Sequence, residues 1–303
     1  MISLAELQQQ ISLIFSSIIG GAQLPTPKKN YSTRRLWGVE SFTDIETIRE
    51  LANCYYKQPE KRILDAGSLF QRAANMALAC TLKIEDEEAR LFLLDEKVLP
   101  LYAYAHTSFY KFITIPEYQK WHELNINIFK LFFDNLAKLS ALVLTIGKPR
   151  SYEWNLREMK YVSGILRNKY SAEQAGILLL ETAKKASRLN FPEALQLQLY
   201  DLALENFATD FYDEHNYPNA SIIDNYQEAM KASFALATKL ASTEEISAKE
   251  LQAIQQKMQT MLERIGQLKK HERPNEEVEN TDHTSPIDQS ATLSQRTTSR
   301  LVI

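Results

Sequence analysis

The chain has 303 residues, with a hydrophobic content of 45% and a charged content of 24%, which are ordinary values for a folded protein. The formal net charge is −3, and the six acidic and three basic residues after position 270 leave 32 acidic and 32 basic residues in the body. A neutral body argues against general nucleic-acid binding, which needs clustered lysine and arginine to displace phosphate counterions.

The choice of apolar residues predicts an all-α protein. Six valines stand against 39 leucines and 29 alanines, and leucine and alanine favour helices whereas β-branched residues favour strands. No segment of the sequence combines β-branched enrichment with the strict alternation of a strand. We therefore expect an irregular helical bundle or a short α-solenoid of about ten helices.

The first part of the chain predicts an amphipathic helix over residues 1–19. Its narrow apolar seam has 3-4 spacing, which suits docking against one partner helix in this chain or in a second copy. The alternative is that the seam lies on a membrane surface. The seam consists of Leu4, Leu7, Ile11, Ile14 and Ile18.

A basic linker is predicted over residues 20–35, where glycines and prolines interrupt the helical pattern. Four positive charges in the linker suit an acidic partner, a phosphopeptide or anionic lipid, although a solvated linker can have the same composition. These candidate partner-binding residues are Lys28, Lys29, Arg34 and Arg35.

A helical body is predicted over residues 36–270, divided by prolines and N-capping residues. Pro100 should break or kink one helix, because proline lacks the backbone N–H and crowds the preceding turn. The predicted helices span about 43–57, 60–82, 86–112, 116–146, 151–168, 171–189, 192–215, 222–240 and 245–270. The last helix has a second narrow apolar seam, another route to self-association, through Leu251, Ile254, Met258, Met261 and Ile265.

Residues 126–146 form the longest apolar stretch of the sequence. Lys130, Asp134 and Lys138 are spaced four apart within this stretch and therefore fall on one helical face. This pattern is typical of an amphipathic or core helix and not of a membrane span. We expect no transmembrane segment, and we expect a cytoplasmic protein.

The sequence contains no recognisable catalytic motif. Glycine-rich phosphate loops, the GxSxG elbow and the HExxH zinc motif are all missing from it. The best set of metal-binding side chains is Asp210, Asp213 and His215, although a solvated helix end explains these residues more simply. We predict no cofactor and assign no catalytic residue.

Aromatic residues are concentrated between positions 102 and 121. At helical spacing such residues favour core packing, but tyrosine is also common at protein interfaces. Tyr102 and Tyr110 are therefore candidate partner-binding residues. The alternative hypothesis is an enzyme of unrecognised class, with its site in a helical cleft near residues 102–121 or 210–215.

The segment 192–240 contains the run Leu202-Ala203-Leu204, followed by Asn206-Phe207 and Phe211-Tyr212. This run is similar to a pattern of the 14-3-3 family that Glu205 interrupts here, and the segment as a whole resembles the helix pairs of the tetratricopeptide and 14-3-3 families. The basic residues and the Arg-Tyr pair of that family's phosphate-binding site have no counterparts at matching spacing. The resemblance implies a helix-pair scaffold without phosphopeptide recognition.

The C-terminal residues 271–303 are polar and predicted to be disordered. This segment contains a glutamate block at Glu276, Glu277 and Glu279, a Ser/Thr-rich run and the near-terminal Leu301. In these features the segment resembles the translocation signals of type IV secretion substrates from intracellular bacteria such as Legionella and Coxiella. The resemblance implies a translocated effector, and the all-helical body then suggests a protein–protein interaction module that is delivered into a host cell.

Overall fold

The computed structural model describes residues 31–120, 122–211 and 220–271. Of these residues, 87% are helical and none forms a strand, which confirms the all-α prediction. No helix in the described ranges is both long and apolar enough to cross a membrane. The predicted N-terminal helix, most of the basic linker and the C-terminal tail lie outside the described residues, so the hypotheses about them stay predictions.

Eleven α-helical segments follow one another in the described ranges. Because α4 and α5 are joined without a break by the π-helical segment Leu94–Val98, they form one rod, and the described ranges contain ten rods, in line with the expected bundle of about ten helices. The segments are α1 (Thr33–Trp37), α2 (Val39–Tyr56), α3 (Pro59–Thr81), α4 (Glu87–Leu93), α5 (Leu99–Thr114), α6 (Ile126–Thr145), α7 (Pro149–Lys169), α8 (Ala172–Arg188), α9 (Glu193–Phe211), α10 (Ala220–Ser242) and α11 (Ala248–His271).

The basic linker was predicted to extend to residue 35, but its end belongs to helix α1. Arg34 and Arg35 lie in α1, and Trp37 at the end of this helix is buried. The Trp37 indole N–H donates to Thr81 Oγ1 at 3.0 Å, which fixes α1 to the end of α3. A buried indole therefore fixes a segment that composition alone assigned to a linker.

The helix predicted from Pro116 through residue 146 is wrong in its first third. Residues Pro116–Lys120 form a short 3-10 helix, and α6 begins only after Asn125. The Asn125 side chain accepts a hydrogen bond from the Asn127 N–H at 3.0 Å, so it caps the new helix. Asn125 marks the start of α6 in the sequence, but the predicted boundary was placed at Pro116 instead.

Pro100 changes the helix that contains it but does not break it. The backbone stays right-handed helical from Leu93 to Leu99, while the N–H of Leu99 donates to the carbonyl of Leu94 five residues earlier. The turn before Pro100 is therefore a wider π-turn. Proline cannot donate a bond of its own, and local π geometry lets the helix pass such a position.

The core lies where α3, α5 and α6 meet, and it extends towards α9. Helices α9 and α10 run antiparallel, as shown by the ion pair between Glu193 at the start of α9 and Lys239 near the end of α10. The largest side chains with almost no exposure include Phe70, Phe109, Phe112, Phe129, Phe132, Phe133 and Phe207. The molecule is a helical bundle with a phenylalanine-rich centre.

The apolar seam of the last helix packs within the chain. Met261 and Ile265 are buried, and Met258 packs against the main core. Leu251 and Ile254 pack against a smaller cluster formed by Leu197, Ala237 and Leu240. The seam residues of α11 therefore contact other helices of the same chain.

Helices α8 and α9 approach each other closely at Gly176. A Cβ atom at this position would lie 2.6 Å from ring carbons of Phe207, which is itself fully buried. At Gly164 in α7, an added Cβ would have no neighbour within 4 Å. The two glycines therefore have different roles although both lie inside helices.

We expect Gly176→Ala to destabilise the protein by about 1–3 kcal/mol, because the extra methyl group overfills a packed contact. The matched control Gly164→Ala should instead stabilise it by about 0.5–1 kcal/mol through helix propensity. Urea unfolding followed by circular dichroism measures both changes. Equal effects of the two substitutions would contradict the close packing of α8 on Phe207.

Candidate functional site

The two tyrosines predicted to bind a partner have different positions in the structure. Tyr102 is fully buried, and its hydroxyl donates to Asn75 Oδ1 at 2.7 Å. Its burial raises the pKa of the phenol far above the ordinary value. The prediction that Tyr102 contacts a partner is therefore wrong, because the side chain is a core element. Tyr110, two turns further along α5, is half-buried at the surface.

The other predicted site residues are not brought together. Arg34 and Arg35 are exposed on α1, whereas Lys28 and Lys29 lie outside the described residues. Asp210 is in the last turn of α9, and Asp213 and His215 fall in the undescribed stretch 212–219. Glu276, Glu277, Glu279 and Leu301 are likewise outside. Within the described ranges, no three His, Cys, Asp or Glu side chains are grouped to hold a metal ion.

A cleft of about 450 Å³ opens between α5 and α7, with α6 at its base. It exists because α5 and α7 both pack on α6 and touch each other only sparsely. The lining is largely apolar, with a few polar groups, as is typical of binding pockets. The residues that line the cleft are Leu99, Ala103, His106, Thr107, Tyr110, Leu139, Val143, Arg150, Ser151, Trp154, Asn155 and Glu158.

A polar contact crosses the cleft from α5 to α7. The His106 Nε2–H donates to Glu158 Oε2, and both side chains are almost buried. The His106 ring packs against Phe132 and Tyr110, at centroid distances of 5.3 and 6.0 Å. These aromatic neighbours hold the imidazole in place, so Glu158 is presented at a fixed position in the cleft.

The other ring nitrogen of His106 has no hydrogen-bond partner in the described part of the chain. Nδ1 is buried, and no described donor or acceptor reaches it. The contact with Glu158 Oε2 is therefore the hydrogen bond that the described residues provide for this ring.

Two large aromatic side chains stand exposed beside this contact. Trp154 is 61% exposed and lines the cleft, and Tyr161 is 56% exposed on the same helix. The rings of Tyr161 and Tyr110 lie 6.4 Å apart, so the aromatic surface continues across the rim to α5. Tyr110, Trp154 and Tyr161 together are called the aromatic rim below.

The two rim residues of α7, Trp154 and Tyr161, share one face of that helix with Glu158, next to the face that packs on the core. The three follow i, i+4 and i+7 spacing, whereas the buried face contains Asn155, Met159, Val162 and Leu166. Asn155 donates to Ser140 Oγ at 3.1 Å and so sets the rotation of α7 on α6. This rotation directs the rim residues towards the cleft and the solvent.

A second cavity, of about 520 Å³, lies between α9, α10 and α11. Methionines contribute much of its lining, at Met230, Met258 and Met261. Asp201 also lines it and accepts a hydrogen bond from Ser233 Oγ at 2.8 Å. Burial raises the pKa of the Asp201 carboxyl above its ordinary value, although the Ser233 bond and Lys257 act in the opposite direction.

Sequence reasoning identified Tyr110 but missed His106, Glu158 and Trp154. His106 and Glu158 are 52 residues apart, so no local spacing connects them. Trp154 offered one signal, because it shares a helical face with Tyr161 at i, i+7 spacing, and exposed apolar residues that are grouped indicate an interaction surface. Comparisons with protein-family models, with curated proteins and with solved structures found no match to this chain.

We expect Asp201→Asn to raise the free energy of unfolding at neutral pH. A carboxyl whose pKa is raised by folding lowers the free energy of unfolding when it is ionised. This destabilisation disappears as the pH falls towards 3.8, the pKa of the carboxyl in the unfolded chain. The increase in the free energy of unfolding caused by Asp201→Asn should therefore be largest above the folded-state pKa and should disappear in acid. Urea unfolding between pH 4 and 8 measures this increase, and Asp224→Asn, at an exposed position on α10, is the control. A gain that stays constant with pH would contradict the burial of this charge.

Proposed function

We propose that the protein is a helical protein–protein interaction module that binds its partner at the cleft between α5 and α7. The main support is the exposure of Trp154 and Tyr161 beside an apolar cleft. Tryptophan, tyrosine and arginine are the residues most enriched among those that dominate binding energy. Arg150 lines the same cleft, so all three residue types occur on one face of α7.

The size of the cleft suits the side chains of a partner segment. A volume of about 450 Å³ lies within the usual range of pockets that hold a small ligand. A whole helix is about 10 Å wide with its side chains, so only the side chains of a bound segment would enter the space. The aromatic rim would then cover the partner backbone on the solvent side.

The geometry supports an enzyme less well. A histidine that acts as a general base must offer a nitrogen to the substrate. Nε2 of His106 is held by Glu158, and Nδ1 is buried. Asn155 and Thr107, two other polar residues of the cleft, already bond to Ser140 and to the carbonyl of Ala103. These contacts build the walls of a binding cleft and leave few free groups for chemistry.

The binding surface can be tested by single substitutions on α7. A partner is first captured from host and bacterial lysates with the full chain and identified by mass spectrometry. Trp154→Ala should then weaken its affinity by at least about thirtyfold, because the loss of an aromatic anchor costs about 2 kcal/mol or more. Isothermal titration calorimetry measures the change.

Val39→Ala is the matched control for this experiment. Val39 is 55% exposed on α2, far along the chain from the cleft, so its truncation should change the affinity by less than about twofold. The proposal is contradicted if the partner binds Trp154→Ala and wild type equally well, because the interface would then lie elsewhere.

We also propose that the module is delivered into host cells by type IV secretion. The support is the sequence of residues 271–303, with its glutamate block and the near-terminal Leu301. Fusion of these residues to a reporter should give translocation by a type IV-competent bacterium, and a secretion-deficient strain is the control. Removal of residues 301–303 should reduce transfer. No transfer of the intact fusion would reject delivery without affecting the binding surface.

A further inference from the structure

The carboxylate of Glu158 has an unused acceptor at the centre of the cleft. Oε2 accepts the hydrogen bond from His106, while no described residue donates to Oε1. Within the described ranges the basic side chain that contacts Glu158 is His106, on Oε2, and no lysine or arginine pairs with the carboxylate, whose side chain is only 13% exposed. A nearly buried carboxylate oxygen without a donor is costly, so Oε1 favours a ligand that supplies a positively charged donor.

The surroundings of this carboxylate suit an organic cation. Trp154 lies one turn before Glu158 on α7, and Tyr161 lies about one turn after it. Tyr110 faces them from α5, and the charge of Glu158 contributes to the raised pKa of the Tyr110 phenol, after the larger effect of burial. The faces of indole and phenol rings attract ammonium and guanidinium groups. The aromatic rim and Glu158 therefore offer complementary contacts for one cation.

We propose that the cleft binds a single lysine or arginine side chain of the partner, with its charged group on Glu158 Oε1 and its methylene stem against Trp154 and Tyr110. This inference rests on the proposed function and adds the chemical class of the bound residue. The charge complementarity of Glu158 selects the cation, and the aromatic rim selects a side chain with an apolar stem.

Arg150 limits the partner to one basic residue at this site. It lines the same cleft eight residues before Glu158, or about 12 Å along the helix axis. A second basic side chain of the partner would meet this arginine and the positive end of the α7 dipole. An acidic side chain in that position would be favoured instead. The cleft is therefore bipolar and distinguishes an isolated lysine or arginine from a polybasic run.

The test uses the full chain and an immobilised library of random octapeptides in which one position at a time is fixed to each amino acid. Wild type should select lysine or arginine at one position. Glu158→Gln keeps the acceptor for His106 but removes the charge, and it should weaken binding of the selected peptide by about tenfold or more. Circular dichroism and a melting curve confirm that the variant is folded.

Glu153→Gln is the matched control, because Glu153 is an exposed residue of the same helix that does not line the cleft. It should leave the selection and affinity unchanged. Glu158→Arg should reverse the preference to aspartate or glutamate. The inference is overturned if Glu158→Gln retains the preference for a basic residue, or if wild type selects peptides without one or selects none. The proposed function is decided separately, by the effect of Trp154→Ala on the captured partner.

Discussion

Helix α6 has thirteen of its twenty residues buried, so neighbouring helices must cover nearly all of its sides. Phe129, Phe132 and Phe133 contribute the largest apolar surfaces, and removing one such ring from a core costs about 3–5 kcal/mol. Helices α5, α7 and α8 each pack on α6. Helices α5 and α7 both pack on α6, but they make few contacts with each other. The cleft is the space that this arrangement leaves.

Polar contacts inside the bundle fix how each helix is rotated. Asn135 on α6 donates to the carbonyl of Tyr102 on α5, and Asn155 on α7 donates to Ser140 on α6. Asn206 on α9 likewise donates to Ser163 on α7. Apolar packing alone tolerates many rotations, whereas a buried amide that loses its partner costs free energy. These bonds therefore select the rotation that places His106 opposite Glu158.

The fold could be predicted from the sequence because its signals are local. Apolar spacing, proline and capping residues define most helices within a few positions, and the predicted start at 171 agrees with α8, where the Ser171 hydroxyl accepts from the Gln174 N–H. The late start of α6 was missed because the local Asn125 cap was not used. The helix around Trp37 was missed because the burial of an indole depends on the neighbouring structure. The burial of Tyr102 was also missed, because helical spacing does not say which face points inward.

The site was less predictable than the fold. His106 and Glu158 meet only because two helices share the surface of a third, and nothing in the spacing of 52 residues signals that meeting. The preference of the aromatic cluster for core or surface was likewise left open by the sequence. Burial divides this cluster between Tyr102, which is in the core, and Tyr110, which lines the cleft.

The π-turn at Leu94–Val98 has a consequence for how this cleft can change by insertion or deletion. A π-turn holds one residue more than an α-turn, so loss of one residue there can restore regular α geometry without breaking the rod. One residue corresponds to about 100° of rotation in a regular α-helix. Because the wider turn holds the extra residue locally, α5 keeps the orientation that an uninterrupted α-helix one residue shorter would give it. The same residue added to regular α geometry would turn α5 by about this angle, and His106 and Tyr110 would leave the cleft together. The π-turn therefore preserves the phase between the helix that begins the rod and the wall of the cleft.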